Sequence, residues 1–202
     1  MPSEPDQASV AEAKRALRKR LRALRLVADQ KEGPDAALAV IRHVLPRVSE
    51  LGLGTGAVAA GYWPILTEID VRPLLARLDE RGVTCALPCI EDGRPELVFR
   101  RWRPTEDLVA GVHDTRQPDP SAPEVVPRVL FVPMLAVDRD GHRLGYGRGW
   151  YDRTLGALRR CGRPVAIAIG FGVQLWDRVP FAEGDAPVDW ILTERALERV
   201  RG

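Results

Sequence analysis

The sequence contains few of the residues that build metal centres and disulfide frameworks, with three cysteines and three histidines among 202 residues. Cys85, Cys89 and Cys161 cannot all pair with one another and form no C-x-x-C motif, which argues against a disulfide framework and a zinc site. Unreacted thiols are typical of a reducing compartment. The net charge is only +2, so the composition does not demand nucleic acid as a partner. The apolar run at residues 165–173 is too short to span a bilayer.

Hydrophobic residues make up 45% of the chain and charged residues 29%, which is ordinary for a soluble globular protein. We predict a single domain over residues 1–202, because this length suits one domain with a sizeable core. The first residues, M-P-S-E-P-D-Q, are acidic and proline-bearing, and we expect residues 1–8 to be disordered. They are not followed by the apolar stretch of a signal peptide, so we expect a cytoplasmic protein.

From residue 57 onward, apolar runs alternate with helical patterns, which predicts an α/β fold with a mostly parallel sheet covered on both faces. Strands are predicted at residues 57–63, 83–88, 97–102, 129–137, 165–170 and 190–193, the third in an edge hairpin with its turn at 91–95. Helices are predicted at residues 70–81, where Asp70 is a candidate cap, at 151–160, and after 193. Prolines interrupt residues 103–127, so no long regular element is expected there.

Two further helices are predicted before the sheet. The first begins at Ser9, which can form a capping box with Glu12. Gly33-Pro34 separates it from a second helix that begins at Asp35 and runs to about residue 51. Pro46 should kink or end this second helix.

The first helix carries a run of basic residues with no acid among them, at positions 14, 15, 18, 19, 20, 22 and 25. Such a run is usually a solvated face. Lys14 and Arg18, however, are i, i+4 neighbours on one side of the helix and could bind a polyphosphate together. The residues alone leave both interpretations open.

Residues 141–153, G-H-R-L-G-Y-G-R-G-W-Y-D-R, connect an apolar run to a helical pattern, with glycines at 145, 147 and 149. Glycine lets the backbone adopt positive φ close to a ligand, and the N-terminus of the following helix favours phosphate. Arg143 and Arg148 add cationic donors, and Asp152 adds a carboxylate suited to Mg²⁺. The spacing matches neither the Walker motif nor the dinucleotide fingerprint. It favours a phosphate site, with a tight turn between strand and helix as the alternative.

Within this loop, R-L-G-Y-G-R-G-W-Y-D resembles the signature R-L-G-x-G-x-G-[YFW]-Y-D of the 5-formyltetrahydrofolate cyclo-ligase family, the 5,10-methenyltetrahydrofolate synthetases. The resemblance extends to K-x-x-L-R at residues 14–18. It also includes Y-W-P-I-L-T-E-I-D-V-R-P-L at residues 62–74, which is similar to the family's Y-L-P-x-x-x-E-[VI]-D-T-R-P-L. The resemblance as a whole covers nearly the entire chain, about residues 12–193. The resemblance implies a three-layer α/β/α, Rossmann-like fold with a mostly parallel sheet.

The resemblance also implies an activity, the ATP- and Mg²⁺-dependent cyclisation of 5-formyltetrahydrofolate to 5,10-methenyltetrahydrofolate with release of ADP and phosphate. ATP and Mg²⁺ are the implied cofactors. The implied substrate is the folate, with or without a polyglutamate tail. We expect a monomer that binds neither nucleic acid nor membranes.

The family's functional residues carry over to the matching positions of this sequence. The implied catalytic residues are Glu68, Arg143, Tyr151 and Asp152, with Asp152 as the metal ligand. The implied folate-binding residues are Trp63, Glu68, His113, Gln117 and Tyr151. The implied ATP-binding residues are Lys14, Arg18, Arg143, Leu144, Gly145, Tyr146, Gly147, Arg148, Gly149, Trp150, Tyr151 and Asp152. Without the family, Glu68 could be a loop carboxylate and Tyr151 a buried aromatic residue under the loop.

The sequence departs from the family pattern at four positions: His113 replaces an aromatic residue, Arg116 a proline, Cys89 an arginine and Gly184 a histidine. An imidazole should stack less well on the pterin than a larger ring, unless His113 faces water instead. These departures keep open a non-catalytic, nucleotide- or folate-binding paralogue with a regulatory role. An RNA-associated protein that uses the basic helix is another alternative, although no aromatic residues interleave with the basic run.

Overall fold

The computed structural model describes residues 7–112 and 115–201. The helices are α1 (Gln7–Val44), α2 (Val48–Leu51), α3 (Arg72–Asp79) and α4 (Trp150–Cys161), with 3₁₀ turns at Leu45–Arg47 and Gly172–Gln174. The strands are β1 (Val58–Ala60), β2 (Thr84–Cys89), β3 (Val98–Arg101), β4 (Val109–Ala110), β5 (Arg116–Gln117), β6 (Val129–Pro133), β7 (Ala136–Val137), β8 (Arg143–Leu144), β9 (Val165–Ile169), β10 (Trp190–Leu192) and β11 (Leu197–Arg199).

Seven strands form one sheet in the order β11-β10-β9-β6-β1-β2-β3. The five inner strands, from β10 to β2, are parallel, whereas β3 and β11 pair antiparallel at the two edges. In the centre, Leu130 of β6 lies between Ala60 of β1 and Ala166 of β9. Two antiparallel ribbons, β4-β5 and β7-β8, lie outside this sheet. The predicted α/β class with a mostly parallel sheet is confirmed.

Helices cover both faces of the sheet because its strands are apolar on both faces. Phe131 of β6 belongs to a core cluster that includes Leu74 of α3 and Val40 of α1. The next residue, Val132, points to the opposite face and belongs to a second cluster with Leu155 of α4. The three layers are therefore α1 with α3, the sheet, and α4.

The two helices predicted on either side of Gly33-Pro34 are one continuous helix, α1, with Pro34 in its interior. An interior proline removes a hydrogen bond and disfavours a helix by about 3 kcal/mol. Tertiary packing offsets this term, because Ala36, Val40 and Val44 recur at four-residue steps and are buried in the core. The predicted break at Gly33-Pro34 was wrong, because it was inferred from two adjacent residues, whereas the helix is stabilised by contacts with residues distant in the sequence.

The predicted start of the first helix is also wrong. The described helix starts at Gln7, so Ser9 lies inside it and not at its N-cap, the position that a capping box with Glu12 requires; residues 7 and 8, expected to be disordered, are helical. At the other end, α1 stops at Val44 and Pro46 lies in the following 3₁₀ turn, as predicted.

Three other predicted elements differ in the structure. The run at residues 129–137 is two strands, because β6 ends at Pro133 and β7 pairs with β8 outside the main sheet. The predicted strand at residues 57–63 is limited to β1. The helix expected after residue 193 is strand β11, in which buried Leu197 pairs with Leu192 while Glu198 and Arg199 are exposed. Strand alternation and pairing outweigh the charged composition that suggested a helix.

Helix α3 begins at Arg72, with Val71 in the cap position and without a side-chain cap from it. Asp70 nevertheless accepts a hydrogen bond from the backbone N–H of Arg72 at 3.0 Å. The predicted capping residue therefore acts from one position earlier than expected.

In the described part of the chain, no helix is long and apolar enough to cross a membrane. All three cysteines are free thiols, and Cys85 and Cys89 are buried. Burial raises the pKa of the Cys89 thiol to about 11, which keeps it protonated and unreactive at neutral pH.

Candidate active site

A cavity of about 510 Å³ lies at the carboxyl ends of parallel strands. Tyr62 and Trp63, which follow β1, form part of its wall, as do Pro88 in β2 and Pro133 at the end of β6. Open α/β sheets bind ligands at this edge. The described residues that we predicted as site residues all line this cavity: Lys14, Arg18, Trp63, Glu68, Gln117, Arg143, Leu144, Gly145, Tyr146, Gly147, Arg148, Gly149, Trp150, Tyr151 and Asp152. His113 lies outside the described residues.

The glycine loop, residues 145–149, crosses the cavity wall and ends at the N-terminus of α4. Gly149 is the cap residue at φ 69°, and the first helical hydrogen bond runs from Arg153 N to Gly149 O at 3.1 Å. The N–H groups of the first helical turn have no acceptor inside the helix. Because the helix dipole adds partial positive charge there, this end of the cavity suits an anion.

Helix α1 contributes cations to the same end of the cavity. Arg18 Nε donates to the carbonyl oxygen of Gly145 at 2.9 Å, and Lys14 Nζ forms an ion pair with Asp185. Gly147 has φ 100°, and a Cβ atom at that position would lie 3.1 Å from Arg18 Cζ. Lys14 and Arg18 thus face the glycine loop, whereas Lys19 is exposed to solvent.

A second ion pair joins the strand before the loop to the helix after it. Arg143 Nη2 of β8 donates to Asp152 Oδ1 of α4 at 3.0 Å. Asp152 Oδ1 also accepts a hydrogen bond from Ala186 N at 3.3 Å, which brings the segment containing Asp185 beside Asp152. Arg143 is buried, and its Nε atom has no hydrogen-bond partner within the part of the chain that the structure describes.

Glu68 also lines the cavity, in the part formed by Trp63 and Ile65 that we call the carboxylate end, and it is only 8% exposed. Its Oε2 atom accepts a hydrogen bond from Ile65 N at 3.0 Å, and its Oε1 atom lies 3.8 Å from Arg25 Nη1. Burial raises the pKa of Glu68 to about 7, although the hydrogen bond from Ile65, the charge of Arg25 and the nearby Tyr146 hydroxyl all oppose this shift. Glu68 can therefore exchange a proton near neutral pH or accept hydrogen bonds from a ligand.

Two phenols flank this carboxylate. Burial raises the pKa values of Tyr62 and Tyr151, and the charge of Glu68 raises them further. Both tyrosines therefore stay neutral. Tyr62 donates its hydroxyl hydrogen to the carbonyl oxygen of Ile69 at 2.8 Å, which fixes its ring beside the cavity.

Several apolar side chains also line the cavity, namely Trp63, Ile65, Leu66, Ile90, Leu97 and Val112. The Arg72 guanidinium lies 4.5 Å from the centre of the Trp63 ring, and this cation–π contact stabilises the position of the ring. Leu66 has φ 55° and is 84% exposed, and it is the only residue other than glycine with positive φ in residues 7–112 and 115–201. This end of the cavity suits a flat, largely apolar ring system with a few hydrogen-bonding groups.

Beside the glycine loop, the carboxylates that could hold a metal are Asp152 and Asp185. Mg²⁺ typically uses one or two carboxylates and completes its shell with water and substrate phosphates, so this donor set fits. A different group, Asp138, Asp140 and His142, is the one cluster of three candidate ligands found among the described residues. There Asp138 accepts backbone hydrogen bonds from Asp140, His142 and Val179, so its carboxylate organises the β7–β8 turn instead.

Sequence reasoning missed several residues of the site. Asp185 and Arg22 line the cavity, and Arg25 is buried directly behind Glu68. Arg25 was part of the basic run, and its spacing of seven residues from Arg18 could have indicated a shared helix face. Of the departures from the family pattern, Arg116 lines the cavity, while Cys89 is buried in β2.

Comparison with known proteins gives concordant results. A model of the 5-formyltetrahydrofolate cyclo-ligase family matches residues 10–194. The 5-formyltetrahydrofolate cyclo-ligase of Mycolicibacterium smegmatis is 33% identical over 149 residues, covering 70% of this chain and 75% of that protein. The Escherichia coli K12 enzyme of the same name is 32% identical over 132 residues, covering 62% and 71%. The structure of Aquifex aeolicus 5,10-methenyltetrahydrofolate synthetase superposes with a TM-score of 0.74 at 26% identity, covering 94% of this chain and 93% of that one.

Proposed function

The chain belongs to the 5-formyltetrahydrofolate cyclo-ligase family, and we propose that it uses ATP and Mg²⁺ to convert 5-formyltetrahydrofolate to 5,10-methenyltetrahydrofolate, with release of ADP and phosphate. The observation that carries the proposal is the single cavity in which a cationic glycine loop faces an apolar wall with a buried carboxylate. One end suits a polyphosphate and the other suits a folate ring. We propose a cytoplasmic monomer as the working form.

The chemistry explains why both ends are needed. The formyl oxygen is a poor leaving group, and the formyl carbon is a poor electrophile. Transfer of the γ-phosphoryl group to that oxygen releases ADP and gives an iminium phosphate. N10 then attacks the carbon and loses its proton, the C–O bond breaks, and phosphate leaves. Such a reaction depends on positioning and charge neutralisation more than on a protein nucleophile.

At the phosphate end, Lys14, Arg18, Arg143 and Arg148 would neutralise phosphate charge, and the glycine loop would let the backbone approach the phosphates. The ion pairs Lys14–Asp185 and Arg143–Asp152 would be exchanged for contacts with the ligands in this scheme. Each joins a cation suited to phosphate and a carboxylate suited to metal. Mg²⁺, when bound, would neutralise phosphate oxygens, and Asp152 and Asp185 would hold it in exchange for their present partners.

At the folate end, Glu68 would accept hydrogen bonds from the N–H groups of the pterin and orient N10 towards the formyl carbon. Tyr151 would line the ring pocket as a neutral phenol. Trp63 and Gln117 would contact the rest of the folate from the apolar wall and from β5. Glu68 is the most buried of the cavity's three carboxylates, which suits a group that recognises a ligand out of contact with water.

The test is formation of the methenyl product, followed by its absorbance, with 5-formyltetrahydrofolate, ATP and Mg²⁺ present. We expect no product when any one of the three is omitted. Asp152→Asn should lose most of the rate while retaining the fold, and Asp140→Asn, an exposed carboxylate outside the cavity, should retain it. Tight binding of both ligands without turnover would instead indicate a non-catalytic paralogue.

A further inference from the structure

Arg25 is one of the most deeply buried side chains of the protein, although arginine is strongly hydrated in water. It is 1% exposed and lies on α1 behind the cavity wall. Its Nε atom donates to Thr67 Oγ1 at 2.9 Å, and its Nη2 atom donates to the hydroxyl oxygen of Tyr146. Burying a charged group is unfavourable unless its partners compensate, so stability alone does not explain why an arginine occupies this position.

The partners of Arg25 belong to both ends of the site. Tyr146 lies in the glycine loop, between Gly145 and Gly147, and Thr67 immediately precedes Glu68. Two turns earlier on the same helix, Arg18 holds the carbonyl oxygen of Gly145. Arg18 and Arg25 of helix α1 therefore both hydrogen-bond to the glycine loop, and Arg25 also bonds to the turn that carries Glu68.

The contact between Arg25 and Glu68 is incomplete. Arg25 Nη1 and Glu68 Oε1 lie 3.8 Å apart, and both atoms are buried without a hydrogen-bond partner in the described part of the chain. A charge-assisted hydrogen bond requires about 2.8 Å, so a movement of about 1 Å would complete it. Tyr146 holds the same guanidinium, so a displacement of the glycine loop would move Arg25 relative to Glu68.

We propose that Arg25 is a positioning residue that links Tyr146 of the glycine loop to Glu68, so that binding of the nucleotide strengthens binding of the folate. The proposal rests on the proposed function, because it assumes that the two ends of the cavity bind these two ligands. Arg25 does not itself line the cavity. Its effect is exerted through Tyr146 and Glu68.

The charge of Arg25 gives the proposal a second readout. The titratable groups around Glu68 are Arg25 from α1, Tyr62 after β1, Tyr146 from the glycine loop and Tyr151 from α4. The three phenols are neutral, the Tyr146 hydroxyl favours ionised Glu68 as a hydrogen-bond donor, and Arg25 favours it as a cation. Removing Arg25 should raise the pKa of Glu68. As the pH is lowered, Glu68 then becomes protonated earlier, and folate binding is lost at a higher pH than in the wild type.

The test measures the Kd of 5-formyltetrahydrofolate by titration calorimetry, with and without Mg²⁺ and a non-hydrolysable ATP analogue. In the wild type we expect the analogue to tighten folate binding by about fivefold or more. Tyr146→Phe keeps the ring but removes the acceptor of the Arg25 hydrogen bond, and should reduce this effect to below about twofold. Arg20→Met, on an exposed position of the same helix, is the matched control and should keep the wild-type effect.

Two substitutions of Arg25 separate its charge from its hydrogen bonds. Arg25→Met should abolish the coupling and move the pH midpoint of folate binding upward. Arg25→Lys keeps the charge but carries its donors on a single nitrogen, without the planar guanidinium that reaches Thr67 and Tyr146 from separate atoms, so it should restore the pH midpoint without restoring the coupling.

The outcomes separate this proposal from the proposed function. If the wild type binds neither ligand, both fail. If the wild type binds both and Tyr146→Phe retains the full coupling, the role of Arg25 is refuted while the proposed function stands. Should Arg25→Met fail to fold, Tyr146→Phe and Arg25→Lys together still decide, because Tyr146→Phe leaves the guanidinium and its bond to Thr67 in place and Arg25→Lys leaves the Tyr146 hydroxyl beside Glu68.

Discussion

Replacing Glu68 by glutamine should make the protein more stable at pH 8 while weakening folate binding. Glu68 is buried, and its pKa is raised from 4.5 to about 7, mainly by loss of hydration. Glutamine has nearly the same shape, and its side-chain carbonyl oxygen can still accept the hydrogen bond from Ile65 N. The substitution therefore removes a poorly hydrated charge and leaves the packing in place.

The sign and size of the expected change in stability follow from the difference between the folded and unfolded pKa of Glu68. Below about pH 4.5 the carboxyl group is protonated in the folded and unfolded states, and it contributes no pH dependence. Between pH 4.5 and about 7 the unfolded chain releases this proton while the folded protein keeps it, so stability falls as pH rises. Above pH 7 the loss is constant, at roughly 3 kcal/mol for a difference of this size. Glu68→Gln lacks the loss, and at pH 8 it should gain roughly 2–3 kcal/mol over the wild type.

A competing effect has the opposite sign. Removing one partner of a close buried ion pair typically destabilises a protein by about 3–5 kcal/mol, because the other charge is left uncompensated. Here the raised pKa already includes the attraction of Arg25, and loss of hydration still outweighs it. The separation of 3.8 Å, without a hydrogen bond, agrees with a weak pair. We therefore expect the hydration effect to dominate.

The assay is urea unfolding of wild type, Glu68→Gln and the exposed control Glu183→Gln at pH 5 and pH 8. At pH 8 the midpoint for Glu68→Gln should exceed that of the wild type by about 1 M, and at pH 5 the difference should fall to about a quarter of this. Glu183→Gln should match the wild type at both pH values. A lower midpoint for Glu68→Gln at pH 8 would refute the reasoning and show that Arg25 and Glu68 form a strong pair.

Two further predictions concern the phosphate end. Lys14→Ala should raise the apparent KM for ATP by about tenfold or more, because charge-assisted hydrogen bonds are worth about 1.5–3 kcal/mol. The control Lys19→Ala, at an exposed position, should change neither the KM for ATP nor that for the folate. If Lys14→Ala has no larger effect than Lys19→Ala, this side of the helix is only a solvated face. Gly147→Ala should raise the KM for ATP without changing the KM for the folate, because a Cβ atom is strained at a φ of 100° and would press on Arg18. Unchanged kinetics would show that the contact between residue 147 and Arg18 does not matter for ATP binding. Its control, Gly156→Ala in the open interior of α4, should stabilise the fold by about 0.5–1 kcal/mol, measured by urea unfolding.

The sequence predicted the features that are carried by local signals. The run at residues 165–170 is β9, and the glycine loop leads into α4 as expected. The failures occurred where distant contacts decide. Pro34 stays inside α1 because that helix packs on the sheet, and residues 197–199 form a strand because β10 offers a partner. A breaker or a charge pattern carries no information about such partners.

The site shows the same difference between what local sequence signals predict and what distant contacts decide. Motif matches led to residues that line one cavity, but they say nothing about what lies behind the wall. Arg25 looked like one of seven similar basic residues, and only the fold distinguishes it by burying it. The stacking role suggested for His113 remains a prediction, since that residue lies outside the described residues.

Around the cavity, local preferences are overridden in one small region, residues 65–68 with Arg25 behind them. At φ 55° glycine or asparagine would be less strained than Leu66, which in addition exposes 84% of its surface. At position 68 a neutral side chain would avoid the loss of hydration that raises the pKa of Glu68 to about 7. Behind it, an apolar residue would avoid burying the charge of Arg25. Unfavourable terms that fall together on adjoining residues are typical of functional sites, and they favour the proposal that this turn recognises the substrate.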